Sequence, residues 1–381
     1  MMESLGFVAF AGAGAALIYT FTIYPLAAHL LARFPVRTRA ERDWQPAVSL
    51  IITAHNEERA IPAKLENTLS LNYPADKLEI VVSSDASTDR TEAIVETYAD
   101  RGVRLVSHPR RSGKTVATQR GVSASRGEIL VFSDATGLYE RAALQHLVRA
   151  LSDPAVGCVS GRVEYTYSGS LIARGFRIYQ SLVKAQRRDE SALGVLTSVS
   201  GSIHAARKNG FPSIDSHQNY DILLPMEMAG RGLAVVYRQE AVSVESARSQ
   251  PDEEFAARVR AGVVAFSALS ELRRRGWLLR SPLFLWALFS GKIMRWLSPV
   301  WFLSLLCGHA LLALDPGPWR MTFIPHAGMY ALAALAAILP SSRLTRLCAG
   351  PLFVGTLCAA FLVALVRYLI GERMASWESS R

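Results

Sequence analysis

Four short apolar runs between residues 48 and 134 constrain this chain more than any other feature. They are VSLIIT (Val48 to Thr53), EIVVSS (Glu79 to Ser84), VRLVSH (Val103 to His108) and EILVFSD (Glu128 to Asp134). The first is continuous, rich in β-formers and bounded by Pro46 and the polar HNEE. Each run has the length of a strand rather than of a helix. Between them lie AIPAKLENTLSL, TEAIVETYAD and KTVATQRGVSAS, which read as helices. Strands alternating with helices predict βαβ units and a mostly parallel sheet. The carboxyl ends of such strands share one edge, and ligands bind there.

The polar residues of this region gather at that edge. Strand one ends in Thr53, Ala54, His55, Asn56 and Glu57, strand two in SSDASTD with Asp85 and Asp89, and strand four in Asp134. Asp89, in STDRTEAI, reads as a helix cap. Capping explains Asp85 and Asp134 less well, and three polar strand ends in succession point to a ligand site. Competing motifs fail. RRSGKT (Arg110 to Thr115) looks like the end of a phosphate-binding loop, but His108 stands where that motif needs its first glycine. No GxGxxG follows a strand and no GxSxG is present, so ATP hydrolysis, dinucleotide binding and a nucleophile elbow are not expected.

Half of the 381 residues are hydrophobic and only 19% are charged, which directs attention to membrane segments. Leu5 to Leu31 is long enough to span a bilayer, lacks a basic n-region and a cleavage site, and is expected to be retained. Arg33, Arg37, Arg39 and Arg42 follow it, which predicts a cytoplasmic location from residue 33 onward. Arg273, Arg274, Arg275 and Arg280 precede the next apolar run. Basic clusters beside apolar runs fix orientation and suit membrane lipid, so the net charge of +10 does not imply nucleic acid.

The expected division follows from these runs. Residues 1–32 form an N-terminal transmembrane helix, 45–280 a cytoplasmic domain, 281–295 an interfacial helix, and 296–372 about three further spans. Those spans are Leu297 to Leu314, Phe323 to Leu339 and Leu352 to Ile370. The basic loop SSRLTRL should be cytoplasmic, leaving the tail GERMASWESSR outside. His309, near the end of a span, reads as a packed histidine rather than a relay. The four cysteines (Cys158, Cys307, Cys348 and Cys358) have no metal or disulfide spacing and read as small buried hydrophobes.

SLIITAHNEE, EIVVSSDASTDRT, RSGKTVATQRG and GEILVFSDATG together resemble the nucleotide-sugar half of a membrane-bound family-2 glycosyltransferase with a GT-A fold. VGCVSGRVEY, RRDESALG, VSGSIHAARK and NYDILLPMEMAGRGLAVVYRQEAVSVES continue the likeness, and SGKIMRWLSP and RYLIGERMASWE extend it to the C-terminal portion. The resemblance implies a Rossmann-like α/β domain and an inverting sugar transfer from a nucleotide-sugar donor, a UDP-sugar by expectation. The acceptor would be lipid-linked or a glycan. The enzyme would be integral to the inner or plasma membrane, with its catalytic domain in the cytoplasm.

Residue by residue, the resemblance assigns His55, Asn56 and Glu57 to the base and ribose, Asp85 to the uracil or ribose, and Lys114 to the diphosphate. Asp134 matches the first acid of the DxD motif, and Asp221 the general base. Glu190, Gly201, Arg258 and Arg260 are expected near the acceptor or donor sugar. A divalent cation, Mg or Mn, is expected at Asp134. Thr136 replaces the second DxD acid, and a threonine is a poorer ligand for a hard cation. Tyr220 stands where many relatives carry an acid. QxxRW is missing, which favours addition of one or a few sugars over a processive polysaccharide synthase. Phe255 to Leu279 is either the acceptor side of the cleft or a packed helix with arginines in water. A non-catalytic nucleotide-sugar-binding membrane protein is the alternative; a transporter is disfavoured because, apart from His309, the C-terminal spans show no obvious internal ionisable residue.

Overall fold

A computed structural model describes residues 1–36, 42–166, 171–215, 218–246, 251–275, 281–338 and 349–372. Eight strands form one sheet: β1 (Val48–Ala54), β2 (Leu78–Ser84), β3 (Val103–Ser107), β4 (Ile129–Asp134), β5 (Leu138–Tyr139), β6 (Val156–Thr166), β7 (His204–Arg207) and β8 (Ala234–Ser246). Their order is β3-β2-β1-β4-β7-β6-β8-β5. The first four are parallel to one another, as the alternating pattern predicts. β7 runs antiparallel to β4 and β6, and β5 antiparallel to β8, so the second half of the sheet is mixed.

β1 is buried along its whole length, which is why its sequence is continuously apolar rather than alternating. Its core contacts come from helix Ile61–Leu69 on one face and helix Lys114–Ala124 on the other; Gly121 of the latter sits so close to Ile51 that a β-carbon would stand 2.6 Å from its side chain.

The apolar ends fold against each other. Helix Met2–Ile18 packs on helix Ser298–Leu312 through glycines: a β-carbon on Gly308 would lie 2.6 Å from the backbone nitrogen of Phe10, and one on Gly6 3.1 Å from the Gly308 carbonyl oxygen. Small residues that let backbones touch are the packing device of helices in lipid. Leu5, Phe7, Val8, Phe21 and Leu26 remain exposed on the N-terminal helical run.

Among the described residues one helical run, Met2–Leu31, is long and apolar enough to cross a membrane. The three C-terminal runs are helical at Ser298–Leu312, Pro318–Ile338 and Ala349–Leu369. His309 is packed, as expected, among Phe10, Trp319 and His326. The cysteine expectation needs one correction: Cys158 is buried, but Cys307 is exposed on its helix and Cys358 is half-buried. The basic loop 341–347, Arg37, Arg39, Arg280, Cys348 and the tail beyond residue 372 lie outside the described residues.

Residues 282–296 are helical with a π-turn at Phe289–Ile293. They are wedged against the chain rather than laid free: a β-carbon on Gly291 would meet the Tyr24 hydroxyl at 2.8 Å and Gln186 Nε2 at 2.6 Å.

Candidate functional site

Thr53 is in register with both Ser83 and Asp134, so the ends of β1, β2 and β4 do share one edge. The loops beyond β1 and β2 bond to each other. His55 Nδ1 donates to the Asp85 carbonyl at 2.8 Å, Asn56 Oδ1 accepts from the Thr88 amide at 2.8 Å, and the Glu57 amide donates to Thr91 Oγ1 at 2.8 Å. Asn56 and Ala86 both hold φ of 55°, a left-handed conformation that alanine adopts at a cost. Asp89 accepts from the Thr91 amide at 2.9 Å, but it stands one residue before the cap position of helix Thr91–Glu96, which Arg90 occupies, so the expected N-cap is displaced by one residue.

The Asp85 carboxylate is fully buried and accepts from the amides of Ser112 and Gly113, each at 2.8 Å. It thereby fixes the turn whose next residue, Lys114, opens helix Lys114–Ala124.

Lys114 Nζ forms an ion pair with Asp134 Oδ1. Their side chains keep 37% and 32% of their exposure, so the pair faces an open cleft rather than the core. Burial alone would raise the Asp134 carboxyl, but the Lys114 ammonium beside it, with help from His204 and Ser202, holds it below the usual carboxylate range. Burial likewise opposes the charge on Lys114, yet Asp134 and Asp221 together keep its affinity for the proton above normal.

Asp221 lies in the first turn of helix Tyr220–Gly230, where the Asn219 side chain caps its amide at 2.7 Å. Burial raises its carboxyl above the ordinary aspartate value, Lys114 opposes this, and the nearby Asp134 charge adds to it. Gly201 lies over both groups: a β-carbon there would stand 3.2 Å from each Asp221 oxygen and 3.2 Å from Lys114 Nζ.

A cavity of about 190 Å³ adjoins this cluster, lined among others by Thr53, Lys114, Gly201, His204, Asp221 and Arg260. Helix Pro251–Arg275 closes one side with Arg260, Ala261 and Val264. The structure thus brings Lys114, Asp134, Gly201, Asp221 and Arg260 together. His55, Asn56, Glu57 and Asp85 form the adjoining loop unit and do not line this cavity.

Glu190 is elsewhere: Oε1 accepts from the Tyr24 hydroxyl at 2.8 Å and Gln186 Nε2 at 2.5 Å, and Oε2 from Thr197 Oγ1 at 3.1 Å. Those bonds tie the N-terminal helical run to the domain. Arg258 does not line the cavity, and Tyr220 is buried with its hydroxyl on the Pro212 carbonyl.

The model of the family described as Glycosyl transferase family 2 matches residues 49–214, the segment that carries β1 to β4 and the Lys114–Asp134 pair. Residues 49–214 are a glycosyl transferase family 2 domain. The chain is 36% identical over 123 residues to a probable glycosyltransferase, YdaM, of Bacillus subtilis, covering 31% of this chain and 29% of that one. It is 24% identical over 179 residues to a poly-beta-1,6-N-acetyl-D-glucosamine synthase of Staphylococcus epidermidis, covering 46% and 43%. The chain thus spans less than half the length of these relatives. The structure of mannosyltransferase PcManGT from Pyrobaculum calidifontis, in complex with GDP-Man and Mn2+, superposes with a TM-score of 0.69 over 98% of this chain and all of that one, at 22% identity. That likeness is one of fold, and it establishes the GT-A-like α/β architecture.

Sequence reasoning missed three groups around the site, two of them in the family 2 domain. Lys64 is fully buried; its ammonium donates to the Gly137 carbonyl at 2.5 Å and lies 4.1 Å from the centre of the Tyr139 ring. Burial drives it down to about 7, with Asp134 and Glu245 pulling the other way. The signal was available: Ile61, Lys64, Leu65 and Thr68 share one helix face, so a lysine stood on a core stripe. Glu245 on β8 is raised by burial and by Asp134, and its Oε1 is buried without a partner. His204 stacks on Phe132 with 4.6 Å between ring centres, donates from Nδ1 to the Ser200 carbonyl, and leaves Nε2 buried and unpartnered. Burial pushes it down to about 4, so it is neutral at pH 7.

Among the described residues no cluster of three or more His, Cys, Asp or Glu side chains is arranged to hold a metal alone. The donors present nevertheless suit a hard divalent cation that takes its other ligands from phosphate and water: Asp134 is an ionised carboxylate open to the cleft, and the unpartnered Glu245 oxygen lies close by, 3.4 Å from a β-carbon placed on Gly137.

Proposed function

We propose that this chain is a membrane-anchored, inverting glycosyltransferase that moves a sugar from a nucleotide-sugar donor to a lipid-linked or saccharide acceptor. The observation that carries the reading is the convergence of Lys114, Asp134 and Asp221 at one cavity. His55, Asn56, Glu57 and Asp85 hold the nucleoside, through the loop unit their mutual bonds define. Lys114 faces the diphosphate. A divalent cation, Mg or Mn, would be held by Asp134 with a neutral oxygen from Thr136, and when bound supplies charge against the leaving phosphate.

Asp221 takes the proton from an acceptor hydroxyl as that oxygen attacks the anomeric carbon. The bond from that carbon to the phosphate oxygen breaks, its electron pair leaves with the nucleoside diphosphate, and the configuration inverts. The raised Asp221 carboxyl is a stronger base than a solvated aspartate, which suits it to this work at neutral pH. Lys114 stabilises the charge that develops on the departing group.

Membrane attachment rests on the exposed apolar surface of Met2–Leu31, with the cytoplasmic side following from the arginines after it. The test is a donor screen with detergent-solubilised protein, starting from UDP-sugars, with and without EDTA. Release of nucleoside diphosphate from one sugar nucleotide, lost with EDTA, is expected; tight binding with no release would favour a non-catalytic binding protein.

A further inference from the structure

A second charged cluster lies beside the loop that carries Ser198 and Gly201. Arg187 on helix Leu171–Ala192 and Arg295 just after the π-turn both act on the charge of Lys292 within that turn. Each cation is held by neutral oxygens. Arg187 donates to Ser160 Oγ at 2.6 Å, Lys292 to Ser198 Oγ at 2.8 Å, and Arg295 to Gln186 Oε1. None of the three is paired with a carboxylate among the described residues. Two acids lie within their field: Asp221, and Glu190, which already accepts from Tyr24, Gln186 and Thr197. Arg295 Nε is buried without any partner. Burial and its two cationic neighbours push Lys292 down to about 8.

Three cations face two acids here, and an excess of positive charge held partly away from water is relieved by an incoming anion. All three side chains retain partial exposure, so a ligand can reach them. Two further relationships say which ligand. The cluster borders Asp221: Arg187 and Lys292 both interact with its charge, and the Val199 amide, next to the Ser198 that holds Lys292, donates to the Asp221 carbonyl at 2.8 Å. It also lies where the N-terminal apolar helical run docks, since Tyr24 bonds Glu190 and the Tyr19 hydroxyl lies 2.6 Å from Ser290 Oγ.

We propose that Arg187, Lys292 and Arg295 form an anion site for a phosphate group on the acceptor, presented from the lipid surface beside Asp221. This rests on the reading of Asp221 as the base and adds the chemical class of the acceptor. Three donors of fork and point-charge type match the several oxygens of a phosphate. The π-turn places Lys292 toward the cluster, a local distortion of the kind found at functional sites.

The experiment measures binding of the full-length protein in detergent to three probes: a polyprenyl phosphate in phosphatidylcholine vesicles, phosphatidylglycerol vesicles of equal charge density, and inorganic phosphate in solution. The nucleoside diphosphate is kept saturating so that the donor site is filled. The polyprenyl phosphate should bind in preference to phosphatidylglycerol, with inorganic phosphate competing. The double variant Lys292→Gln, Arg295→Gln should weaken that binding about tenfold or more, the loss of a charge-assisted hydrogen bond. Lys292→Arg should retain it. Nucleotide affinity of the double variant should stay unchanged, which separates failure of this site from failure of the donor site. Equal affinity for both vesicle types would overturn the proposal by reducing the cluster to surface attraction. Unchanged binding in the double variant would overturn it too. Should that variant not fold, displacement of polyprenyl phosphate by inorganic phosphate from the wild-type protein decides: no displacement contradicts an anion site.

Discussion

Lys114 and Asp134 form an ion pair across the mouth of the cleft, and Asp221 lies within the field of both. One lysine therefore balances two acids of opposite tendency: Asp134 is held ionised, while Asp221 is raised by burial. Roles for a phosphate-side ligand and for a base follow from that split.

The Lys114→Gln variant should lose transfer by about a hundredfold or more, the scale of removing one group that stabilises developing charge. It should also move the acid limb of the kcat/KM profile to higher pH, because Lys114 opposes the upward shift of Asp221. Lys114→Arg should keep that limb near the wild-type position. Steady-state rates between pH 5 and 9 check both (the range is set by about where a raised carboxylate titrates).

Gly201→Ala places a β-carbon 3.2 Å from the Asp221 oxygens and from Lys114 Nζ. Such contacts are tight enough to shift the acid and the cation without unfolding the domain. Transfer should fall by about tenfold to a hundredfold, the penalty of displacing a reacting group, while the melting temperature changes little. A variant as active as wild type would show that the acid and lysine need not hold their observed positions.

Lys64 gives a pH signature in stability. Its proton is held less tightly in the folded chain, at about 7 against 10.5 for a solvated lysine. Between those values the unfolded chain binds the extra proton, so stability rises with pH, by about 1.4 kcal/mol per pH unit at most. Below the lower value both states are protonated and the contribution is flat. Lys64→Met should remove this rise. Melting curves of both proteins at pH 6.5 and 9 are the measurement, and parallel pH dependence would contradict the buried placement (pH points chosen at about the lower end of the window and well inside it).

Asp134→Asn should weaken donor binding and the response to divalent cation together, because the ionised carboxylate is the ligand offered to the cleft. Titration calorimetry with the sugar nucleotide, with and without Mn, reads both. Unchanged donor affinity would remove Asp134 from the phosphate end of the site.

The parallel half of the fold was legible because fully buried parallel strands are written as continuous apolar runs. VSLIIT and EILVFSD predict β1 and β4 to within a residue at either end. β5 to β8 carry no such regularity: β6 and β8 pair through register shifts and face the core unevenly along their length, so period alone did not find them. In the site, the strand-end acids were readable from sheet geometry, whereas Lys114 and Asp221 came through resemblance. The partners of Glu190 were not legible by that route. Its neighbours are Tyr24, Gln186 and Thr197, and a bond from Tyr24 across 166 residues cannot be inferred from local spacing. The same long-range packing hid Lys292 and Glu245.

The central claim is that Asp221 is the base of a sugar transfer at this cleft. The direct measurement is transfer rate and donor affinity for Asp221→Asn beside wild type, with the donor identified in the screen. Transfer should fall by about a thousandfold, within the range of lost general-base catalysis, with nucleotide-sugar affinity nearly intact. Sugar transfer at the wild-type rate by Asp221→Asn would contradict the account.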